Sequence, residues 1–313
     1  MHLMKASRTF ASTKARLLLS FGLLVVVALV ISACMPIQPM AEEAAAEPTP
    51  QAAAEEPAMA GDAANGEYIA TLTGGCGCHF NSDLSAMAGG REFTGTFGIV
   101  HASNLTSDEA TGIAHDSDDI LVSLLRTGQE VEDGEVYVLS PIMPYKTFSI
   151  LSDKDAYDIV AWLRAMPPVE NAVPERQLAA EPEAWTPASA PAAESPTEPV
   201  ARGEYLAKLA NCGGCHTPKN EDGSPKADML LAGSPLRGDF ASNLTPDEET
   251  GLGSWTEEQI ATLLRTGAEP DGKQIEGAMA QQIERRFSKL TEEDAAAIAA
   301  YLKSLPAVKN AAP

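Results

Sequence analysis

Asn211-Cys212-Gly213-Gly214-Cys215-His216 contains Cys-x-x-Cys-His, the string by which a c-type haem is attached to a polypeptide. The spacing has a physical reason. Residues three apart on a short helix share a face, so Cys212 and Cys215 can each add to a haem vinyl group while His216 reaches the iron. A zinc or redox Cys-x-x-Cys is the alternative. No second Cys pair stands nearby to complete four zinc ligands, and no βαβ pattern surrounds the string.

Outward from this string the chain repeats itself, and the repeat sets the architecture. Asn65-Gly66-Glu67-Tyr68-Ile69-Ala70 returns 137 positions later as Arg202-Gly203-Glu204-Tyr205-Leu206-Ala207. Ala102-Ser103-Asn104-Leu105-Thr106 returns at Ala241 to Thr245, Leu124 to Gly128 at Leu263 to Gly267, and Leu163 to Pro167 at Leu302 to Pro306, each 139 positions on. The segments predicted are a signal over 1–33, a disordered tether over 34–61, a domain over 62–168, a Pro/Ala/Glu-rich linker over 169–199 and a second domain over 200–307.

Each copy reads as helical. Ser152 and Thr291 stand where helix N-caps belong, with Ile159 and Leu163, or Ile298, Leu302 and Leu305, on one stripe and a Pro beyond. Middle helices run from Ser117 to Gly128 and from Thr256 to Gly267. A shorter helix, from about 64 or 202, leads into each cysteine string, and nothing between the helices alternates as a sheet. The expected fold class is all-α. With aromatic residues at only 5% the core is thin, and a buried haem would supply the missing apolar mass.

Haem iron has two axial positions, so each His needs a partner. Met143 stands 64 residues after His79 and Met279 stands 63 after His216; that agreement across the repeat points to both as distal ligands, the alternative being a Met that fills a gap in the core. The first copy departs at its cysteines, with Cys76-Gly77-Cys78-His79 in place of Cys-x-x-Cys-His. Residues two apart on a helix point to nearly opposite sides. Cys78 keeps the register of Cys215, while Cys76 is left either free beside a single thioether or bonded through a deformed backbone that Gly74, Gly75 and Gly77 permit. Absence of haem there is the third alternative. Arg126 and Arg265 read as propionate partners or as basic residues at helix C-termini. Asn104 and Asn243 suit turns or the haem edge, and His101 and His115 have no counterparts in the second copy.

Asp and Glu number 44 against 22 Lys and Arg, a net charge of −22 that argues against a nucleic-acid partner. The first 33 residues hold Lys5, Arg8, Lys14, Arg16 and the apolar run Leu17 to Val30, then Ile31-Ser32-Ala33-Cys34, which resembles a bacterial lipobox with Cys34 as the lipidated residue. An uncleaved anchor is the rival, although the run is short of the roughly 20 residues a spanning helix needs. Either way the body is expected outside the cytoplasm and tethered to a membrane. The five cysteines then divide into one for lipid and two for each haem string, with none left for a disulfide.

Taken together the chain resembles the dihaem class I cytochromes c, and is similar to the cytochrome subunits of membrane-bound alcohol and aldehyde dehydrogenases. Cys212 to Pro218 and Asn243 to Gly251 carry the resemblance. It implies tandem cytochrome c domains, two covalent haems c, and one-electron transfer between a redox protein partner, either a dehydrogenase or a quinol-oxidising complex, and a terminal acceptor such as an oxidase. A dihaem peroxidase or thiosulfate dehydrogenase is the alternative, requiring one open distal site. Ala280, where the family has Pro, is a departure beside Met279.

Overall fold

Helices form where their start signals stand. In a computed structural model that describes residues 61–312, apart from 75, 84, 133 and 237, the first half contains α1 (Ala63–Thr73), α2 (Asp118–Thr127), α3 (Tyr145–Phe148) and α4 (Asp153–Arg164). The second contains α5 (Pro199–Leu209), α6 (Cys212–His216), α7 (Glu257–Thr266), α8 (Gly277–Arg285) and α9 (Glu292–Ser304). Cys34, the signal segment and the tether up to residue 60 lie outside the described residues. Ser117, Ser152, Thr256 and Thr291 each cap a helix by accepting a backbone N–H in its first turn, and left-handed Gly128 and Gly267 close α2 and α7.

In each half the first helix packs on the last, α1 on α4 and α5 on α9. The repeated Gly permits this close crossing. A Cβ at Gly66 would meet the Asp158 carbonyl oxygen at 1.9 Å, and one at Gly203 would meet that of Ala297 at 1.9 Å. One apolar core, including Ile69, Leu151, Leu206, Ile260 and Ile298, extends through both halves. Burying each such side chain contributes about 1.5–3 kcal/mol.

The chain is not all-α. Strands β1 (Glu92–Gly95), β2 (Gly98–His101) and β5 (Gln177–Leu178) pair antiparallel in the order β1-β2-β5, while β3 (Gln129–Glu132) pairs with β4 (Glu135–Val138) and β6 (Ser234–Leu236) with β7 (Asp239–Ala241). These strands of two to four residues are too short to show a period of two, which is why the sequence reading passed over them.

The Pro/Ala/Glu-rich linker is laid as a strap over the first half. Asn171 donates to the Ala88 carbonyl at 2.8 Å, β5 extends a sheet, and the Trp185 ring sits 6.1 Å from that of Tyr145. The carbonyls of Ala192 and Ala193 accept from the N–H groups of Asp153 and Lys154, at 2.8 and 3.0 Å. Those donors belong to the first turn of α4 and have no partner within the helix. Composition identified the linker, but pairing of its backbone with distant groups gives it shape.

The halves dock reciprocally. Tyr68 of α1 donates to Asp294 of α9 at 2.6 Å, and its repeat counterpart Tyr205 donates to Asp155 of α4 at 2.6 Å. Each carboxylate is also held from within its own half, Asp294 by Arg202 at 2.9 Å and Asp155 by Asn65 at 3.1 Å. Residue i meeting j while the counterpart of j meets that of i is the signature of a two-fold relation. Burial, and then the bond to Asp294, raises the Tyr68 pKa; burial likewise leads the rise at Tyr205. At Asp294 burial alone would raise the pKa, but the bonds from Arg202 and Tyr68 outweigh it and leave the pKa below the usual value.

The sign for stability follows. Asp294 contributes fully above the unfolded carboxylate pKa of about 3.9 and loses its contribution as pH falls through its lower folded value. The tyrosines contribute fully below about pH 10 and lose it as pH rises through their raised folded values. Tyr68→Phe and Tyr205→Phe are each expected to cost about 1–3 kcal/mol, by stripping a donor from a buried carboxylate. Denaturant melts at neutral pH read this cost, and it should narrow for Tyr68→Phe in acid as Asp294 protonates.

Candidate functional site

The histidines of both strings are held in the same way. His79 Nδ1 lies 2.8 Å from the Ser103 carbonyl oxygen, and His216 Nδ1 lies 2.7 Å from that of Ser242. A carbonyl only accepts, so Nδ1 carries the proton and the lone pair is left on Nε2, the form a metal ligand requires. Burial lowers the pKa of both rings, opposed by these bonds, which keeps the imidazoles neutral. Ser103 and Ser242 belong to the repeated Ala-Ser-Asn-Leu-Thr run, so that run orients the histidines through its backbone. Its Asn side chains do the tying: Asn104 donates to Val169 O at 2.8 Å and Asn243 to Val308 O at 2.7 Å, and their Oδ1 atoms accept from Thr106 and Thr245. Both Asn are buried and fully bonded. The turn role is the one observed.

Cys76, Cys78, His79 and Met143 line one cavity, walled by Leu121, Leu124 and Leu125 of α2 and by Ile159 and Leu163 of α4. Its mouth is partly open to solvent. Cys76 takes a left-handed conformation at φ 50°, costing roughly 1–2 kcal/mol for a residue with a Cβ. The turn that follows, Gly77–His79, is a 3₁₀ turn rather than an α-helix. The backbone is therefore left-handed at the irregular cysteine, and Cys76 and Cys78 both line the cavity that His79 lines. In the second half the left-handed residue is Asn211, at φ 56°, directly ahead of α6. Burial pushes the Cys76 thiol up to about 12, helped by Cys78, and the Cys212 thiol up to about 11.

Cys212 packs against the core, Cys215 is exposed, and His216 is buried on α6. Met279 lies on α8, half-buried against the core. Among the described residues no three His, Cys, Asp or Glu side chains cluster as a metal site, so the four ligands of a structural zinc are not assembled there.

Arg126 is committed to Asp153 at 2.8 Å and to Leu151 O at 2.7 Å, and Arg265 to Glu292 at 3.0 Å. These contacts tie the end of each middle helix to the start of the last one, although the Nε of both is buried without a partner. His115 is exposed. His101 instead lines the cavity, with Nε2 3.5 Å from Glu92 and Nδ1 buried and unpartnered.

Sequence reading missed the polar edge of this cavity. Arg176 reaches it from the strap, its guanidinium 4.2 Å from the Tyr137 ring and bonded to Val138 O and to Glu181 at 2.8 Å. Ser140 Oγ lines the cavity as well, buried and unpartnered. An apolar slot with Cys and His at one wall, Met among its lining, and a cation and two orphaned polar atoms fits a haem, whose ring is apolar and whose propionates are anionic. No sequence signal marked Arg176, because it lies in a stretch whose composition reads as spacer.

Haem-string histidines held by backbone carbonyls in a helical scaffold define a c-type cytochrome. The chain belongs to that family. Residues 200–306 match the family model Cytochrome c. Over 275 residues the chain is 32% identical to a dihaem c-type cytochrome of Cereibacter sphaeroides, covering 80% of this chain and 88% of the relative. It is 30% identical to the fructose dehydrogenase cytochrome subunit of Gluconobacter japonicus, covering 83% of this chain and 55% of that one, and 32% identical to the gluconate 2-dehydrogenase cytochrome c subunit of Pantoea cypripedii, covering 80% and 62%. The chain thus spans little more than half the length of these two dehydrogenase subunits. Membership carries covalently bound haem c and electron transport. Among the described residues no helix is long and apolar enough to cross a membrane.

Proposed function

We propose that the chain is a dihaem electron carrier of two tandem cytochrome c domains, lipid-anchored at Cys34 outside the cytoplasm, moving single electrons from a dehydrogenase or quinol-oxidising complex to a terminal acceptor. The observation that carries this reading is the twin bond from His79 to Ser103 O and from His216 to Ser242 O, which presents Nε2 in both halves. When bound, the two haems supply reversible one-electron chemistry. His79 and His216, with Met143 and Met279, would hold the iron. Cys212, Cys215, Cys78 and Cys76 would attach the groups through thioethers. Arg176, with His101 and Ser140, would hold the propionates of the first. The dehydrogenase partner is supported by what the relatives are named for, and the anchor by the Ser32-Ala33-Cys34 string.

Intact mass together with a pyridine haemochrome spectrum tests the reading. Two haems per chain are expected; one or none defeats it. Cys76→Ala is expected to leave the mass count at two and shift the first haem's absorption toward that of a single thioether. An unchanged spectrum in that variant would show that Cys76 forms no bond.

A further inference from the structure

The two halves differ at one ladder position beside the repeated Ala-Ser-Asn-Leu-Thr run. In the first half the residue ahead of that run is His101, and its partner across the β1-β2 ladder is Glu92. In the second it is Phe240, and its partner across β6-β7 is Pro235. A side chain of the kind that changes charge near neutral pH, with a carboxylate opposite, is thus replaced by two that carry no charge. His101 also lines the first cavity. Its side chain is only 10% exposed, with Nε2 3.5 Å from Glu92 Oε2 and Nδ1 buried without a partner among the described residues.

An imidazole has a donor on both nitrogens only when it is charged. Glu92 accepts on one side, and anionic propionates seated in the cavity would accept on the other. The groups around the ring do not cancel this preference. Arg176 reaches the lining from the strap, but its charge is paired with Glu181 at 2.8 Å. Tyr137 of β4 lines the cavity too, and burial raises its pKa, so it stays neutral in the range where imidazoles titrate. Glu130, opposite Tyr137 on β3, is a further carboxyl, and Arg91 ahead of β1 is exposed to solvent. Cys76, Cys78 and His79, also in the lining, are committed to the haem on the reading above.

We propose that His101, set against Glu92, is a proton-accepting residue that couples the potential of the first site to pH, while the second site has no such residue. This rests on the dihaem reading above. The oxidised site carries one more positive charge than the reduced one, so a charged imidazole at its edge is favoured by reduction and disfavoured by oxidation. One electron from the redox partner arrives with one proton from water at the cavity mouth, and oxidation releases both. The sign follows. In acid His101 is charged in both redox states, and in base it is neutral in both. Between these limits only the reduced state holds the proton, so the potential falls as pH rises.

The test is a potentiometric titration of the full holoprotein at a series of values from about pH 5 to 8, in a Cys76→Ala background. There the first site has at most one thioether and absorbs apart from the second, whether or not Cys76 is bonded in the unmodified chain. The first wave is expected to fall with rising pH, toward a limit of about 59 mV per pH unit, which is a tenfold change in proton activity for one electron. The second wave is expected to stay nearly level. His101→Phe, which copies the second half, should level the first wave as well. Glu92→Gln removes a carboxylate from an exposed position outside the cavity lining and should move the sloping range to lower pH, which keeps the test open if His101→Phe fails to fold. A first wave independent of pH, a slope that survives His101→Phe, equal slopes in both waves, or a sloping range unmoved by Glu92→Gln would overturn the proposal. Failure of the dihaem reading would appear separately, as fewer than two haems in the unmodified protein.

Discussion

Replacing His216 with Gly is expected to convert one of two low-spin centres to a five-coordinate, high-spin one, while the mass still shows two haems. On the proposed reading Cys212 and Cys215 would hold the group covalently, so loss of the ligand need not release it. His216 is the buried residue of α6, and its Nδ1 is fixed on Ser242 O at 2.7 Å. The vacated space is therefore shaped for an imidazole with a carbonyl acceptor behind it. Added imidazole should restore the low-spin spectrum, and a spectrum unchanged by the substitution would remove His216 as a ligand. The loss also falls on stability, because an apolar core short of aromatic mass depends on a well-seated cofactor.

Met143→His is the second large effect. Thioether ligation raises the potential relative to nitrogen ligation, and axial ligands together span about 0.8 V. Met143 sits in the same cavity as His79, its N–H bonded to Ser140 O at 3.0 Å, in a segment that turns directly into α3. Histidine there is expected to lower the potential of the first site by on the order of 100 mV. A redox titration measures the shift, and a potential that stays in place would mean that Met143 is packing and not a ligand. The same substitution at Met279 compares the two halves directly.

Much of what lines the first cavity and opens each helix was legible in the residues. The two histidines, the methionines, the helix caps and the repeat all rest on local spacing, which sequence preserves. Cys76 was recognised as irregular by comparison with Cys212, but its left-handed φ of 50° is something spacing does not report. The propionate reading of Arg126 and Arg265 met a competing partner in each case, the acidic residue opening the last helix of the same half. Arg176 went unread because a lone Arg in a Pro- and Glu-rich stretch has no pattern to belong to. The hairpins went unread because two to four residues carry no measurable alternation.

By itself the sequence determined the two cysteine-histidine strings, the matching spacing of a Met after each His, and the duplication of helices, since these are near-neighbour patterns of side chains. Tertiary structure alone decided that the linker is a strap, that Tyr68 and Tyr205 lock the halves through each other's carboxylates, and that His101 stands opposite Glu92 at the cavity. Those contacts join residues as far as 226 positions apart. Many also end on backbone carbonyls, Ser103, Ser242, Val169 and Val308 among them. Every residue has a carbonyl, so only the fold reveals which of them is used.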